Sequence, residues 1–453
     1  MAAFRGRAAD LSLLEQQLRQ VVRGKGGRRG RAAIVTGRRR VGKSRLVQEF
    51  CDRSGLPCVI FQATPGRDTV AGSPAADWNQ ALEALACAVP DHTASIAVID
   101  EVPWLVEQDP GFAGALRTVW DRHLSVKPVL LLLVGSDLPV MEALQLAGRT
   151  AKLTVDPLHL ADVQAMTELP AAEAVDALLL TGGFPEVVRA WEPGMGLRDY
   201  LRQELADALS PLLTVGELSM LGEFPTASRT RAVLEAIGTG ERTFTGIAAG
   251  SGERSPIPSG TLAPILNTLL GRRLVAADLP LSTRPDTRNK RYRVADTYLR
   301  FWLAFLNRGI GLVERGRGDL LLERVERSWT SWRGRAVEPI VRESLARLLP
   351  DGRWAGTDAV GGWWNRRNRP VIDLVGVDRE PVAGQVCFVG AIKWLENRPF
   401  GRRDYDDLAR DLLAVPGAEP GTPLVAVSRG GFAEDLPLAA RWGPDDLLRA
   451  WQR

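Results

Sequence analysis

The stretch GRRRVGKSRLV, residues 37–47, contains the spacing G-x-x-x-x-G-K-[ST]. It follows a short apolar run, Arg31–Thr36, and leads into a segment with helical periodicity, Ser44–Phe50. In the order strand, glycine-rich loop and helix, successive backbone N–H groups can surround a phosphate at the positive end of the helix dipole. The sequence therefore predicts an α/β fold in which a buried parallel strand is followed by a phosphate-binding loop.

The side chains of this loop are expected to contact a nucleotide and its metal ion. Lys43 would reach the β- and γ-phosphates of a nucleotide, and Ser44 would ligate Mg²⁺. The residues expected to surround the nucleotide are Gly37, Arg38, Arg39, Arg40, Val41, Gly42, Lys43, Ser44 and Arg45.

The acids that such a loop requires follow a second apolar run, Ser95–Ile99. Asp100 suits a place beside Mg²⁺ and, with Ser44, makes up the expected metal site. Glu101 suits a general base that orients the attacking water. Because kinases of this fold lack a second acid in that role, the Asp-Glu pair favours hydrolysis.

A third apolar run, Val129–Val134, is followed by Gly135 and Ser136. A polar side chain at the end of this strand can sense the γ-phosphate or the attacking water. Ser136 therefore joins Lys43 and Glu101 among the expected catalytic residues.

Composition excludes several classes of protein. Of the 453 residues, 45% are apolar and 25% are charged, as in ordinary globular proteins, and the net charge of +4 is too small to indicate nucleic-acid binding by itself. Four cysteines without CxxC spacing argue against a disulfide framework, and three histidines argue against a histidine-rich metal site. The first residues become charged too early for a signal peptide, and Pro128–Gly135 is far shorter than the ~20 residues of a membrane-spanning helix. We expect a cytoplasmic protein without a membrane segment.

Seven segments occur in an order that resembles a known family: FRGRAADLSLLEQQL, GRRRVGKSRLV, AVIDEVPWL, LRTVWDRHL, LLLVGSDLPVME, AGRTAKLTVDPL and GGFPEVV. They are similar to archaeal-type ATPases of the AAA+/STAND-like branch of P-loop proteins, many of which carry a C-terminal DUF234 region. The resemblance implies ATP as the nucleotide. It also suggests that Arg149, in AGRT, faces the nucleotide or a neighbouring protomer's site, although the residues alone are equally compatible with a surface arginine.

The same resemblance implies four domains. These are a P-loop ATPase core at 1–160, a helical lid at 161–228, a winged helix at 229–295 and a DUF234 region with a PD-(D/E)xK nuclease-like fold at 296–453. The lid is expected from an Ala- and Leu-rich stretch, Leu160–Leu213, that Gly182–Pro185 interrupts. This interruption is compatible both with a loop near the nucleotide base and with a plain turn between helices.

Three short helices and two strands predict the winged helix-turn-helix. The helices are Arg229–Ile237, Thr245–Ala249 and Ser259–Leu270, and the strands are Arg272–Ala277 and Asn289–Val294. The wing between and within the strands is basic, with Arg284, Arg288, Lys290, Arg291 and Arg293. Contact with DNA phosphates and packing between domains both remain open for the wing. Recognition of DNA bases by helix 259–270, the recognition helix of such a fold, is disfavoured because this helix has no Arg or Lys.

The C-terminal part contains a carboxylate pattern that looks like the PD-(D/E)xK nuclease fold. Glu338 lies on a predicted helix, Gly334–Leu345, Asp373 lies inside an apolar strand, and Lys393 follows a second strand. The family pattern places an acid two residues before the lysine, where this chain has Ala391. Losing an acidic ligand weakens a divalent metal site, so we expect little or no cleavage and a vestigial cluster of Glu338, Asp373 and Lys393. A replacement acid, Glu380 or Glu396, is the less favoured alternative.

A basic and aromatic loop, residues 363–369, contains Trp363, Trp364, Arg366, Arg367 and Arg369. Aromatic rings beside cations suit stacking and phosphate contact, and a pair of core tryptophans beside a solvated arginine loop is the competing interpretation.

The function expected from these features is a Mg²⁺-dependent ATPase or ATP-operated switch that acts on a winged-helix and nuclease-like module. The alternatives are a nucleotide-gated DNA-binding or regulatory protein with negligible turnover, and an ATP-coupled DNA nuclease. Expected partners are ATP, DNA through the wing and loop 363–369, and other proteins, and an oligomer is compatible with the sequence.

Overall fold

The computed structural model describes residues 4, 6–23, 30–62, 78–144, 146, 150–224, 229–252, 255–350, 352, 354 and 356–452. The chain divides into two compact units, Met1–Leu158 and His159–Arg453.

Five parallel strands form the sheet of the first unit, in the order β2-β3-β4-β1-β5: β1 Arg31–Thr36, β2 Cys58–Gln62, β3 Ser95–Asp100, β4 Val129–Gly135 and β5 Thr150–Thr154. Every residue of β3 and β4 is buried. Because both faces of these strands are covered, their side chains are apolar except for Ser95 and Asp100 at the two ends of β3. The predicted α/β fold with a parallel sheet is confirmed.

Six helices of the first unit lie within the described ranges: α1 Ala8–Arg23, α2 Lys43–Ser54, α3 Trp78–Ala88, α4 Val102–Gln108, α5 Phe112–Arg122 and α6 Leu138–Ala143, with a 3-10 turn at Leu124–Val126. Gly42, with φ of 91°, leads into α2, and Gly55, with φ of 63°, ends it. Leu46, Val47 and Phe50 are the buried face of α2 between these glycines.

The topology decides where polar residues meet. Because β1, β3 and β4 are parallel neighbours, their carboxyl ends lie along one edge of the sheet. Gly37, Glu101 and Ser136, which directly follow these three strands, therefore share that edge.

The second unit begins with helices α7 Leu160–Thr167, α8 Ala171–Thr181, α9 Pro185–Arg189, α10 Leu197–Glu204 and α11 Pro211–Glu223. The interruption at residues 182–185 is a tight turn between α8 and α9. Gly182 has φ of 57°, and a Cβ at this position would lie 2.5 Å from the Cβ of Tyr298. These observations support the interpretation as a turn between helices.

Next come α12 Arg229–Gly238, α13 Phe244–Gly250 and α14 Ser259–Gly271, followed by an antiparallel pair of strands, β6 Val275–Asp278 and β7 Arg291–Val294. The first strand begins three residues later than predicted. The reason is local: Arg272 caps α14, and Arg273 has a left-handed φ of 56°, which a strand does not accommodate.

The remaining strands form a mixed sheet in the order β12-β11-β10-β9-β8: β8 Ala359–Trp364, β9 Val371–Val377, β10 Val386–Lys393, β11 Leu424–Ser428 and β12 Ala440–Trp442. Strands β8, β9 and β10 pair antiparallel, whereas β10, β11 and β12 pair parallel. This second sheet agrees with the predicted α/β class, while its likeness to a nuclease stays a prediction.

The remaining helices of the described residues are α15 Thr297–Phe301, α16 Ile310–Val313, α17 Gly318–Ala336, α18 Glu338–Leu348, α19 Arg402–Asp411 and α20 Pro444–Arg449, with a π-helical segment at Trp302–Leu306 and a 3-10 turn at Leu412–Ala414. The single helix predicted for 334–345 is wrong, because the chain changes helix at Val337. Pro339 explains the break, since proline is accepted in the first turn of a helix and not in its interior. None of the helices in the described ranges is both long and apolar enough to cross a lipid bilayer.

Candidate functional site

The loop between β1 and α2 adopts backbone conformations that few residue types tolerate. The φ angle is +151° at Gly37, +66° at Arg40 and +91° at Gly42. A Cβ on Gly37 would lie 2.3 Å from the carbonyl oxygen of Val155, so this position requires glycine. The loop is thereby held close to the chain that follows β5.

Lys43 is buried at the start of α2, where its ammonium group donates hydrogen bonds to the carbonyl oxygens of Gly37 at 3.0 Å and Arg38 at 2.8 Å. Burial lowers the pKa of Lys43 to about 8, against the opposing charges of Glu101 and Asp100. An ammonium group has three donors, and the loop carbonyls accept from two of them. A phosphate oxygen would supply both the remaining acceptor and the negative charge that burial makes favourable.

The two acids after β3 occupy different environments. Asp100 is only 5% exposed, and its Oδ1 accepts a hydrogen bond from the backbone N–H of Glu101 at 2.9 Å. Glu101 is exposed and has a left-handed φ of 56° immediately before α4. Positive φ is uncommon for a residue with a side chain, and such strain concentrates at functional sites.

Oxygen ligands for Mg²⁺ are present in the same unit. Ser44 is exposed in the first turn of α2, and within the described part of the chain its hydroxyl has no hydrogen-bond partner. The Ser44 hydroxyl and the Asp100 carboxylate are both hard oxygen donors, the kind of ligand that Mg²⁺ prefers. The described residues contain no group of three His, Cys, Asp or Glu side chains placed to hold a metal ion. A bound ion would therefore also need oxygens from the nucleotide.

The other predicted loop residues differ in exposure. Val41 is fully buried, Arg38 is partly buried, and Arg39 and Arg40 are exposed. Arg45 donates to Glu49 at 3.4 Å within α2.

Two further predicted residues belong to this part of the chain. Ser136 is partly buried directly after β4. Arg149 lies outside the described residues.

Arg7 contacts the loop and was not predicted from the sequence. Its buried guanidinium donates to the carbonyl oxygen of Val41 at 2.6 Å and to that of Asp156, and it pairs with Asp10 at 3.2 Å. Arg7 thus connects the phosphate-binding loop to the segment after β5. The contact could not be read from local spacing, because Val41 lies 34 residues away in the sequence. The one available signal for Arg7 was its position in FRGR, at the start of the first segment that resembles the ATPase family.

In the second unit, Arg342 connects Glu338 to Asp373. Its Nη2 donates to the Glu338 carboxylate at 3.2 Å and to the backbone oxygen of Asp373 at 2.8 Å. Burial and, next, the charge of Glu338 raise the pKa of Asp373 to about 6. Lys393, the third predicted member of this cluster, is paired with Asp404 at 2.8 Å.

Glu396, considered above as a replacement acid, is also held by cations. Its carboxylate pairs with Arg333 at 2.6 Å and with Arg429 at 3.4 Å.

The predicted wing and loop 363–369 pack against each other. Trp363 and Trp364 are buried, and Nε1 of Trp364 donates to the backbone oxygen of Asn289 at 3.1 Å. The guanidinium of Arg291 lies over the Trp364 ring, 4.3 Å from its centroid. These contacts support the interpretation of the two tryptophans as core residues.

Comparison with known proteins gives similarities of three kinds, to a family model, to a protein sequence and to a solved structure. Residues 302–403 match the family DUF234, described as "Archaea bacterial proteins of unknown function". An uncharacterized protein of Methanocaldococcus jannaschii is 24% identical over 328 residues, which are 70% of this chain and 71% of that protein. Among solved structures, a Walker-type ATPase of Pyrococcus abyssi has a TM-score of 0.44 and 17% identity, and the match covers 66% of this chain and 96% of that one.

The DUF234 match falls on the part of the chain that begins at the π-helical segment 302–306 and reaches the first turn of α19. It confirms the resemblance stated from the sequence for this part. Residues 302–403 thus match the DUF234 family model, and the first unit has the order of strand, glycine-containing loop and helix that the sequence predicted for a phosphate-binding loop.

Proposed function

We propose that this chain binds ATP with Mg²⁺ in the loop between β1 and α2 and hydrolyses it. The observation that carries the proposal is the position of Lys43, whose ammonium group is held by two loop carbonyls and lies within electrostatic reach of Asp100 and Glu101. A buried cation beside two acids at the carboxyl edge of a parallel sheet suits a bound triphosphate with its metal ion.

Each residue has a distinct part in this reaction. Backbone N–H groups of loop 37–42 and the Lys43 ammonium would bind the β- and γ-phosphates, while Ser44 and Asp100 would hold Mg²⁺. Bound Mg²⁺ would neutralise negative charge on the phosphate oxygens. Glu101 would orient a water and accept its proton as the water oxygen bonds to the γ-phosphorus. The bond from that phosphorus to the β-bridging oxygen breaks, which leaves ADP and inorganic phosphate.

We further propose that ATP binding and hydrolysis act as a switch for a helical lid, a winged helix at α12–β7 and the DUF234 module. Three helices followed by an antiparallel pair of strands support the winged-helix assignment. Cleavage of DNA is not part of the proposal, because Ala391 stands where the nuclease pattern needs an acid and Lys393 is paired with Asp404.

Phosphate release from ATP, measured with and without double-stranded DNA, tests the proposal. We expect Lys43→Ala to abolish turnover and Glu101→Gln to lower kcat by about 10²–10⁴-fold, the usual contribution of general base catalysis. Glu107→Gln, at an exposed acid of the neighbouring helix α4, is the matched control and should keep its activity.

Other outcomes distinguish the alternatives. Absence of turnover together with ATP-dependent thermal stabilisation that Lys43→Ala removes would instead establish a nucleotide-gated regulatory protein. If ATP gave neither turnover nor stabilisation, the assignment of the loop to ATP would be wrong.

A further inference from the structure

In the second unit, six arginines lie close enough for their charges to act on Glu338 or on one another. They come from the segment before α13, from β7, from α15, from the end of α17 and from α18, and we call them the arginine cluster: Arg242, Arg291, Arg293, Arg300, Arg335 and Arg342. No local pattern links these positions, since the folded second unit brings five separate elements together.

Several contacts establish how close these arginines are. The backbone N–H of Tyr292 donates to the carbonyl oxygen of Arg242 at 2.8 Å, which places residue 242 beside the strand that carries Arg291 and Arg293. Nη2 of Arg300 lies 3.4 Å from the backbone oxygen of Arg335.

The two acids of the predicted nuclease cluster border the same place. Arg342 contacts both, through the Glu338 carboxylate at 3.2 Å and the Asp373 backbone oxygen at 2.8 Å.

Positive charge exceeds negative charge in the arginine cluster. Among the described residues, the carboxylates that act most on Arg242, Arg291 and Arg300 are Glu338, Asp373 and Asp278, three against the six guanidinium groups of the cluster. Two of these carboxylates are already paired, Asp278 with Arg293 at 3.1 Å and Glu338 with Arg342 at 3.2 Å.

Two arginines of the cluster are left without a partner. Within the described ranges the side chains of Arg242 and Arg335 make neither an ion pair nor a hydrogen bond. Arg242 is partly buried and Arg335 is exposed, so the cluster is open to solvent on the Arg335 side.

The unfavourable electrostatics of the arginine cluster lower the pKa values of two of its arginines. Burial and, next, the charge of Arg242 lower the pKa of Arg300 to about 9 and that of Arg291 to about 10. Guanidinium groups that are withdrawn from water without enough carboxylates are unfavourable, and a bound anion would relieve this cost.

We propose that the arginine cluster binds a phosphate group at the place where a nuclease of this pattern would hold its metal ion. Guanidinium groups match phosphate oxygens with two parallel hydrogen bonds, and several converging arginines suit a group with three or four oxygens. The same excess of positive charge repels Mg²⁺, so the site takes the anion directly. The phosphate is provided either by a nucleic acid backbone or by a small free phosphate compound.

Fluorescence anisotropy of a short labelled DNA duplex and calorimetry with inorganic pyrophosphate test both sources. All measurements use the full chain with Lys43→Ala and contain no ATP, so that binding by the loop at 37–44 is weakened and is the same in every variant compared. The outcome is therefore independent of ATP hydrolysis.

The informative variant is Arg242→Gln with Arg335→Gln, because neither side chain has a partner whose loss would weaken the fold. Arg324→Gln with Arg327→Gln is the matched control, since it removes the same charge from exposed positions of α17. Thermal unfolding of both double variants verifies that they are folded.

We expect the informative variant to weaken binding about tenfold or more and to lower the slope of log K against log salt concentration by about two. The control should change affinity by less than about twofold. DNA binding that pyrophosphate does not displace identifies a nucleic acid as the source, and pyrophosphate binding without DNA binding identifies a small phosphate. If neither probe binds, or if both double variants lose affinity equally, the proposal is overturned.

Discussion

Lys43 keeps its positive charge in a place where water has limited access. Two backbone carbonyls accept its hydrogen bonds, and Asp100 and Glu101 favour the charged form, yet burial is the larger effect and lowers its pKa to about 8. The free protein therefore pays an electrostatic cost at Lys43 that a bound phosphate would remove.

This cost predicts a pH dependence of stability. The unfolded chain holds the Lys43 proton up to its ordinary pKa of 10.5, whereas the folded chain releases it from about pH 8. Between these values the unfolded state binds more protons, so the contribution of Lys43 to the free energy of unfolding rises with pH. We expect the free energy of unfolding of wild type, relative to that of Lys43→Met, to rise by about 3 kcal/mol from the low to the high end of this pH window.

Urea unfolding without nucleotide, from pH 7 to pH 10.5, measures this difference. Lys152→Met, at an exposed lysine of β5, is the control and should show no comparable change. A difference for Lys43→Met that stays constant over the window would contradict burial as the cause.

Arg7 leads to a second prediction for a single residue. Its guanidinium donates to the carbonyl oxygens of Val41 and Asp156, which would lose these donors in Arg7→Ala. Hydrogen bonds from a charged donor contribute about 1.5–3 kcal/mol each, so we expect a loss of about 3 kcal/mol in the free energy of unfolding, together with weaker ATP binding.

Chemical unfolding and ATP titration check this expectation. Arg19→Ala, which removes an exposed pair with Glu15 on the same helix, should cost less than about 1 kcal/mol. Equal losses in the two variants would show that Arg7 has no special role at the loop.

At the scale of elements, one buried carboxylate joins four parts of the second unit. Asp176 of α8 pairs with Arg333 of α17 at 2.8 Å and with Arg429 after β11, and Nε1 of Trp394 after β10 lies 3.4 Å from it. Burial raises the pKa of Asp176, against the opposing charges of Arg429 and Arg333. Helices that precede the DUF234 region are thus tied to its sheet by charge as well as by apolar packing.

Removing this carboxylate leaves two buried guanidinium groups with the half-exposed carboxylate of Glu396 as their remaining ion-pair partner in the described part of the chain. We expect Asp176→Asn to lower the free energy of unfolding by about 3–5 kcal/mol, the usual effect of breaking a buried ion pair. Asp199→Asn, in an exposed pair with Arg202, is the control and should cost less than about 1 kcal/mol. Denaturant unfolding, monitored by tryptophan fluorescence, measures the free energy of unfolding of both variants. If Asp176→Asn lowered it by less than about 1 kcal/mol, water would reach this network and the ion pairs would not be buried.

For the whole molecule, the two proposed sites lie in different units and differ in chemistry. The loop site of the first unit combines a lysine with carboxylate and hydroxyl oxygens that fit Mg²⁺, whereas the arginine cluster of the second unit is dominated by positive charge. ATP hydrolysis at the loop should therefore depend on a divalent metal ion, whereas phosphate binding by the arginine cluster should not.

Chelation of divalent ions with EDTA is the test. We expect EDTA to abolish phosphate release from ATP and to leave phosphate binding by the arginine cluster unchanged within about twofold. Phosphate release requires the metal to neutralise the triphosphate, while guanidinium groups bind the anion directly. If EDTA abolished DNA binding, a metal ion would be bridging the acids Glu338 and Asp373 to the phosphate.

The sequence by itself determined the parts of this protein that depend on short-range spacing. Residues 37–42 lie between a strand and a helix, as the motif predicted. The apolar runs that lead to Asp100 and Gly135 could be recognised as parallel strands because both faces of such strands are buried. Element ends were less accurate where a single residue decides them, as at Arg273 with its left-handed φ and at Pro339 in the first turn of α18. The roles of Lys43, Asp100 and Glu101 in a reaction stay predictions.

Only the tertiary structure decided which distant side chains meet. Arg7 contacts a loop carbonyl 34 residues away, and Asp176 contacts a guanidinium 157 residues away. Contacts at such separations have no sequence period, since the turns and sheet pairings between the two residues set their distance. The same reason explains the arginine cluster, whose members look like ordinary surface arginines until five elements bring them close enough for their charges to act on Glu338 or on one another.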